Sequence, residues 1–331
     1  MNSRCTIGVL VPTNGGEPTT PPEARPIGRA ALMLAKEGID VIFGDALQDA
    51  RITGYRARPG GWQPVDAIPI DGLHDRFPSQ LRSEQFSAIM RGRNGIVMAN
   101  PVDFTLWCRD KIASQRGLEA LGVPMPVVTA DPDRFDAALR AWGSGFLKPQ
   151  YGALGIGVRR VMPGDPLPPT LEGVVPNRPD PTILQSAVEP PTAWASRTVR
   201  VLLQRTADGG WFQGAPVVRQ SRTDPVANAA KGAEVVDGTA ALPSTCLAAI
   251  RTVVSTVARA FDALPVARRM VEVGIDLALD RELNPWVIEV NSRPRGRMEI
   301  LAETAPERFD QAHRDACARP IRVLAAWSKK G

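Results

Sequence analysis

Histidine, cysteine and long hydrophobic runs are scarce in this sequence of 331 residues, and each scarcity excludes a class of protein. Only His74 and His313 are available, which disfavours histidine-based zinc sites and a Ser-His-Asp triad. The four cysteines stand singly, without a Cys-x-x-Cys pair, which argues against a zinc ribbon and against a disulfide framework. We therefore expect any metal chemistry to use oxygen ligands.

Membrane segments and dense charge runs are also missing. No stretch approaches the roughly 18 apolar residues that span a bilayer, and the N-terminus lacks the pattern of a signal peptide, so we expect a cytoplasmic protein without a membrane partner. The net charge of +5 is spread along the chain, with no Lys/Arg run of the nucleic-acid type. This distribution predicts no nucleic-acid partner and mildly favours a small molecule that carries phosphate.

The first hundred residues have the pattern of a β-α-β unit. The stretch "CTIGVLVP" predicts a buried strand, a helix follows and ends at Gly38, and "IDVIFGD" predicts the next strand. The unit lacks Gly-x-Gly-x-x-Gly, so a dinucleotide fingerprint is not supported. We expect it to close near residue 100, and a single helix to follow over residues 104–121, capped by Gly122.

A glycine-rich turn lies between two predicted strands in "GFLKPQYGALGIGVRRVM". Gly152, Gly155 and Gly157 let backbone amides approach an anion, which Lys148 on the incoming strand can neutralise. No Walker Gly-Lys-[Ser/Thr] occurs there, and an ordinary hairpin turn with a surface lysine explains the pattern equally well. The proline-rich residues 162–181 that follow predict an irregular surface excursion.

The second half of the chain predicts antiparallel strands and one long helix. Residues 197–220 alternate like paired strands, with "TADGG" as a turn between them. Apolar residues then recur at the helical spacing. They are Leu247, Ile250, Val254, Val257 and Phe261. A hairpin over residues 271–291 and a helical tail complete the chain.

An acidic residue interrupts the apolar stretch "WVIEVN". Glu289 and Asn291 are two positions apart and therefore share one face of a strand, although on this stretch alone an outward acid paired with an arginine is the simpler explanation. Asp276 lies on the preceding strand, and the hairpin brings it alongside both residues. Two carboxylates and an amide suit Mg²⁺ bound to nucleotide phosphates. With Lys148 upstream, the sequence predicts a nucleotide site.

The order of these motifs resembles the ATP-grasp superfamily over nearly the whole chain. The series comprises Lys111 in "RDK", Lys148 in "FLKP", the glycine turn, "LQSAVE", Arg200 in "TVRVLLQ", Arg219 before "NAAKGA", "GID" and "IEVNSRP". It is most similar to the glutathione synthetase and ribosomal-protein glutamate ligase branch. The stretch "RVLLQRTADGGWFQGAPVVRQ" looks like the endospore-coat-associated group.

The resemblance implies an α/β (α+β) fold in three parts, with ATP held between the last two. These are a Rossmann-like pre-ATP-grasp domain over residues 1–100, a subdomain with the glycine-rich loop over residues 101–189, and a subdomain with the metal site over residues 190–331. Implied ATP-binding residues are Lys111, Lys148, Gly152, Gly155, Gly157, Gln185, Ala187 and Val188, of which residues 185–188 form the hinge that recognises adenine through its backbone. Implied metal ligands are Asp276, Glu289 and Asn291, and implied catalytic residues are Arg200, Arg219 and Asn228.

The activity that the resemblance implies is an ATP- and Mg²⁺-dependent ligation of a carboxylate to an amine through an acyl phosphate, with release of ADP and phosphate. The substrate is expected to be an amino acid or a peptide. Thr198 departs from the family, which usually has an acid there, and "NSRPRG" replaces the usual "NSSPG", so the acceptor is not defined. An ester- or amide-forming peptide macrocyclase and a non-catalytic, spore-coat-like ATP-binding protein stay open as alternatives, as does a homo-oligomer.

Three arginines, Arg293, Arg295 and Arg297, directly follow the predicted metal ligands. A guanidinium matches a carboxylate bidentately, so we expect Arg293 in particular to clamp the substrate acid. The alternative is that these arginines are solvated or paired with Glu299 and Glu303.

Overall fold

The computed structural model describes residues 5–13, 16–18, 24–77, 96–151, 155–173, 178–227, 232–294 and 298–329. None of the helices in these ranges combines the length and the apolar character that crossing a bilayer requires.

The described elements form three sheets with helices packed on them. The strands are β1 (Cys5–Leu10), β2 (Ile39–Gln48), β3 (Arg51–Arg58), β4 (Gly61–Pro69), β5 (Gly72–Asp75), β6 (Val97–Ala99), β7 (Val128–Thr129), β8 (Gly145–Pro149), β9 (Arg159–Val161), β10 (Thr170–Glu172), β11 (Pro179–Ser186), β12 (Ser196–Arg205), β13 (Trp211–Gln213), β14 (Val217–Ser221), β15 (Glu234–Asp237), β16 (Glu272–Leu279) and β17 (Pro285–Asn291). The helices are α1 (Ala24–Lys36), α2 (Val102–Arg109), α3 (Lys111–Glu119), α4 (Phe135–Trp142), α5 (Gly238–Ala241), α6 (Ser244–Ala263), α7 (Met298–Thr304) and α8 (Pro306–Ser328). Short 3₁₀ helices occupy Pro132–Arg134 and Pro265–Ala267.

The first sheet has the order β4-β3-β2-β1-β5-β6. Strand β1 pairs in parallel with β2 and β5, and β5 pairs in parallel with β6, so the predicted β-α-β start is confirmed. Helix α1 ends at Lys36, two residues before the predicted end at Gly38. Gly38 adopts φ +79°, a conformation that costs glycine little. The parallel strands place Asp75 and Asn100 at one edge, where they face the third sheet.

The prediction of one helix over residues 104–121 is wrong, because the chain breaks at Asp110. Asp110 is extended, with φ −77° and ψ 99°, and its side chain accepts hydrogen bonds from the backbone amides of Ile112 and Ala113. It thereby caps the second helix, α3. The break places Lys111 at the first position of α3.

The second sheet has the order β10-β11-β8-β9, with β7 paired to β11. The predicted strand, glycine turn and strand are confirmed as β8 and β9, which pair antiparallel. The prediction that residues 162–181 are irregular throughout is wrong, because β10 and the start of β11 lie within them. Strand β10 is at the edge of the sheet, and an edge strand tolerates neighbouring prolines.

The third sheet has the order β15-β14-β12-β16-β17, with β13 paired to β12. The predicted hairpin is confirmed as β16 and β17, and the predicted long helix as α6. One face of the sheet packs on α6 in an apolar core that includes Val201, Ile275 and Val254. The opposite face carries polar side chains and forms the site described below.

The last helix returns to the first sheet. Ile321 and Leu324 of α8 share one core with Ile7 and Val9 of β1 and with Leu34 of α1. The domain prediction had assigned this helix to the subdomain over residues 190–331. The unit boundaries at residues 100 and 189 remain predictions.

Candidate active site

The three predicted metal ligands converge on the polar face of the third sheet. Asp276 and Glu289 are directly opposite each other across β16 and β17, and cross-strand partners share a face. Asp276 is 1% exposed, whereas Glu289 and Asn291 are half-buried. The Asn291 Nδ2 atom lies 3.1 Å from Asp276 Oδ2 and 3.2 Å from Glu289 Oε1, and it donates to both.

Two arginines form ion pairs with Asp276. Arg200 lies opposite it on β12 and donates from Nε and Nη2 to the two carboxylate oxygens at 2.5 Å each, while Arg219 on β14 donates from Nη2 at 2.6 Å. Burial by itself would raise the pKa of Asp276, but the two guanidinium charges hold it well below its usual range. The carboxylate of Asp276 is therefore ionised.

A carboxylate offers about four acceptor positions. Three arginine N–H groups and the Asn291 amide direct four hydrogen bonds to Asp276. A metal ion bound by this residue must therefore replace at least one of these hydrogen bonds. The Asn291 amide is the simplest to replace, because rotating it would remove its donor and present its oxygen instead.

The side chains fit a hard cation. In the described ranges no group of three or more His, Cys, Asp or Glu side chains could hold a metal. A magnesium site on this sheet thus depends on two carboxylates together with the Asn291 oxygen. Carboxylate and amide oxygens are the ligands that Mg²⁺ prefers, usually with phosphate oxygens and water completing its shell.

Two lysines from residues 101–189 lie near Asp276 and Glu289. Lys148 on β8 is buried, and its Nζ donates to Gln185 Oε1 at 2.6 Å. Burial lowers the pKa of Lys148 to about 8, and the negative charge of Glu289 opposes that shift. Burial also lowers the pKa of Lys111, again opposed first by Glu289. Both lysines therefore lie within electrostatic reach of the same carboxylate, as an anion site between the two units requires.

The described part of the glycine turn uses backbone conformations that favour glycine. Gly155 and Gly157 both adopt φ +70°. A Cβ atom at Gly157 would lie 2.9 Å from the Glu172 carbonyl oxygen and 2.9 Å from Pro149 Cγ, closer than real Cβ atoms approach. The predicted residues Gly152 and Asn228, as well as Arg295 and Arg297, lie outside the described residues.

Gln150 ties the start of the glycine turn to the start of α3. Its Nε2 donates to Asp110 Oδ1 at 3.0 Å, and its carbonyl accepts from the Lys111 amide at 3.2 Å. Lys111 is thus fixed next to the turn. The sequence analysis missed this contact, because it depends on the unpredicted break at Asp110.

The predicted adenine hinge is partly engaged within the protein. The Ala187 amide donates to the Ser144 carbonyl at 3.1 Å, and the Gln185 side chain holds Lys148. Recognition of adenine through the backbone of Gln185, Ala187 and Val188 stays a prediction. Of these three, Val188 is the better candidate for donating its amide to a base, since Ala187 already uses its own.

The arrangement of two α+β units around a polar face matches known folds. The solved D-alanyl-alanine synthetase A from Vibrio cholerae aligns with a TM-score of 0.62 and 17% identity, covering 96% of this chain and 99% of that one. Residues 170–319 match the family model described as YheC/D like ATP-grasp. The match over residues 170–319 and the alignment over nearly the whole chain show the ATP-grasp fold. The expected α/β ATP-grasp fold is therefore confirmed.

Other solved structures share the ATP-grasp fold at similarly low identity. The D-Ala:D-Ser ligase VanG from Enterococcus faecalis has a TM-score of 0.61 and 12% identity, with 97% of this chain and 99% of that one covered. The N5-carboxyaminoimidazole ribonucleotide synthetase from Thermotoga maritima has a TM-score of 0.57 and 16% identity, with 95% and 76% covered. No curated protein matches the chain by sequence.

Arg293 contacts the end of a strand of the first sheet. Its Nη2 lies 2.6 Å from Asp75 Oδ2, and its Nη1 donates to the Phe77 carbonyl at 2.7 Å. These partners differ from Glu299 and Glu303, which the sequence analysis considered. A role for Arg293 in clamping a substrate carboxylate stays a prediction, and the Asp75 contact gives it a second role as a link between units.

Further polar links join the first and third sheets beside Arg293, and the sequence analysis missed them. Glu272 accepts from Arg76 Nη1 at 2.7 Å and lies 3.2 Å from His74 Nε2. The Asn100 side chain donates to the backbone carbonyls of Glu272 and Ser292. Polar residues at the carboxyl ends of adjacent parallel strands were the available signal, since these ends meet at one edge.

Proposed function

We propose that this ATP-grasp protein is an ATP- and Mg²⁺-dependent ligase that joins a carboxylate to an amine. The observation that carries the proposal is the meeting of two buried or half-buried lysines with a pair of carboxylates across the second and third units. Such a site suits the phosphates of a nucleotide, because the lysines neutralise phosphate charge and the carboxylates can hold a cation beside it. The acid is an amino acid or a peptide.

The proposed route passes through an acyl phosphate. A carboxylate is a poor electrophile, so its oxygen first takes the γ-phosphoryl group of ATP, and an amine then displaces phosphate from the acyl carbon. Lys111 and Lys148 bind the phosphates, and Asp276, Glu289 and Asn291 would hold Mg²⁺. When bound, the metal supplies neutralisation of phosphate charge. Arg219 lies next to these ligands and can stabilise the transferring group.

The ATP-grasp relatives support ligation as the reaction class. The solved neighbours include a D-alanyl-alanine synthetase and a D-Ala:D-Ser ligase. Both names denote the joining of two amino acids. At 12–17% identity these structures share a fold with this chain, so the particular acid and acceptor are left to experiment.

We predict that turnover releases ADP and phosphate. With hydroxylamine in place of the amine, the activated acid should be trapped as a hydroxamate, because hydroxylamine attacks an acyl phosphate readily. The measurement is a screen of amino acids and peptides with ATP, Mg²⁺ and hydroxylamine, read out by ADP and by hydroxamate colour. AMP with pyrophosphate would contradict the acyl-phosphate route. ATP binding without any ADP release would favour the non-catalytic alternative, and loss of water from a peptide without an added amine would favour a macrocyclase.

The substrate role of Arg293 gives a second prediction. If it clamps the acid, Arg293→Lys should raise the KM for the acid strongly and leave ATP affinity nearly unchanged, since lysine keeps the charge and loses the planar fork. Asp75→Asn serves as the matched control, because it breaks the link to the first unit from the other side. If Arg293→Lys and Asp75→Asn reduce stability equally and the KM for the acid is unchanged, Arg293 serves only in the ion pair with Asp75.

A further inference from the structure

We propose that Gln115 is a positioning residue of the nucleotide site, which acts through Gln185 to hold the Lys148 ammonium in place. The proposal rests on the proposed function, because it takes Lys148 to be a phosphate ligand. Gln115 is a buried residue of α3 and belongs to none of the motifs quoted from the sequence.

A series of hydrogen bonds links Lys148, Gln185 and Gln115 beneath the second sheet. Lys148 Nζ donates to Gln185 Oε1 at 2.6 Å, and Gln185 Nε2 donates to Gln115 Oε1 at 3.0 Å. The Gln115 Nε2 group donates to the Pro126 carbonyl at 2.5 Å and to Glu119 Oε1 at 2.8 Å. Gln115 and Gln185 are 2% and 3% exposed, so water does not compete for these bonds.

The Pro126 carbonyl, at the last of these hydrogen bonds, fixes which group donates and which accepts in each of the others. The Pro126 carbonyl can only accept a hydrogen bond, so the NH₂ group of Gln115 must face it and its oxygen must face Gln185. Gln185 then has to offer its NH₂ group to Gln115 and its oxygen to Lys148. If Gln185 rotated its amide by half a turn, an N–H group would point at the ammonium, and two donors would meet in a buried place.

The acceptor matters because Lys148 is buried. Burial already lowers the pKa of Lys148 to about 8; the negative charges of Glu289 and Asp276 oppose this shift, and the positive charge of Lys111 adds to it. The charged form of Lys148 is the one that binds phosphate. Losing an oriented acceptor would lower this pKa further and release the side chain. The lysine is protonated below its pKa, so nucleotide affinity should fall as the pH rises through that value, and it should fall at a lower pH without Gln115.

The test measures the affinity for ADP by titration calorimetry between about pH 6 and 9, around the neutral-to-alkaline range where this lysine titrates. In Gln115→Met we expect the fall in affinity to move to lower pH by about one unit, which makes binding about fivefold weaker near pH 8 and about tenfold weaker near pH 9. In the double variant with Gln185→Glu added, we expect the fall to return to the original pH or above. A carboxylate has no donor end, so it accepts from Lys148 in either orientation.

The matched control is Gln213→Met. Gln213 on β13 donates from Nε2 to Ser255 Oγ at 2.8 Å, away from the nucleotide site, and this variant should keep the original pH profile. If Gln115→Met does not fold, Gln115→Asn is measured instead. Its amide is one methylene too short to reach both partners, and the same shift is expected.

An unchanged pH profile in a folded Gln115 variant would overturn the proposal. So would a double variant that stays as weak as the single one, because packing and not orientation would then explain the loss. Lys148→Met separates this inference from the function on which it rests. If that variant binds ADP as tightly as the original protein, Lys148 is not a phosphate ligand, and the proposed function itself loses its support.

Discussion

Replacing Glu289 by glutamine is expected to leave a folded protein whose turnover is reduced by roughly 10²-fold or more, a loss of about 3 kcal/mol in transition-state stabilisation. Glu289 faces Asp276 across the hairpin, and its charge acts on both Lys111 and Lys148. Glutamine keeps the shape of the side chain but removes its negative charge. This change weakens the proposed metal site, and it leaves less negative charge beside the positive charges of Lys111 and Lys148. The measurement is ADP release as a function of Mg²⁺ concentration.

The matched control for this variant is Glu282→Gln. Glu282 is an exposed glutamate in the turn of the same hairpin, so its replacement should change neither turnover nor the Mg²⁺ dependence. Full activity in Glu289→Gln would remove Glu289 from the metal site. If Glu289→Gln loses activity but keeps the original Mg²⁺ dependence, the Glu289 carboxylate interacts with Lys111 and Lys148 and does not bind the metal.

Asp276→Asn is expected to destabilise the fold by about 3 to 5 kcal/mol, the usual cost of removing one partner from a buried ion pair. Asp276 is the partner of both Arg200 and Arg219, and its side chain is 2% exposed. Asparagine keeps the size of the side chain but leaves two guanidinium charges without their counter-charge. Chemical denaturation at neutral pH measures the change in the free energy of unfolding.

The pH dependence gives this prediction a second readout. The pKa of Asp276 is lowered in the folded protein, so the stability contributed by its charge is present above the unfolded value, about 3.9, and is lost as the pH falls through the lower folded value. The difference between the original protein and Asp276→Asn should therefore be full at neutral pH and shrink in acid below about pH 4.

Asp262→Asn is the comparison for that experiment. Asp262 pairs with Arg205 at 2.7 Å, but half of its side chain is exposed, and exposed pairs contribute about 1 kcal/mol or less. An Asp276→Asn variant as stable as Asp262→Asn would contradict the view that the buried cluster depends on this carboxylate.

Local patterns in the sequence were sufficient for several strands, for the long helix α6 and for the acid side of the site. The alternation in "WVIEVN" placed Glu289 and Asn291 on one face, and the hairpin turn placed Asp276 beside them, because both rules depend only on residues close in sequence. The glycine spacing predicted the turn between β8 and β9 in the same way. The break at Asp110 was missed, since the apolar pattern continues through both helices and the cap depends on one side chain.

The sequence by itself thus determined strands β1, β2, β8, β9, β16 and β17, the long helix α6 and the pairing of the acids, because hydrophobic periodicity and turn chemistry act over a few residues. Only the tertiary structure decided the partners of the charged and amide side chains. Asp276 with Arg200, Arg293 with Asp75, and Gln185 with Gln115 are 76, 218 and 70 residues apart in the chain. These contacts form where sheets and helices from distant segments pack together. Burial then makes an unsatisfied charge or amide costly, so the packing selects which partners meet.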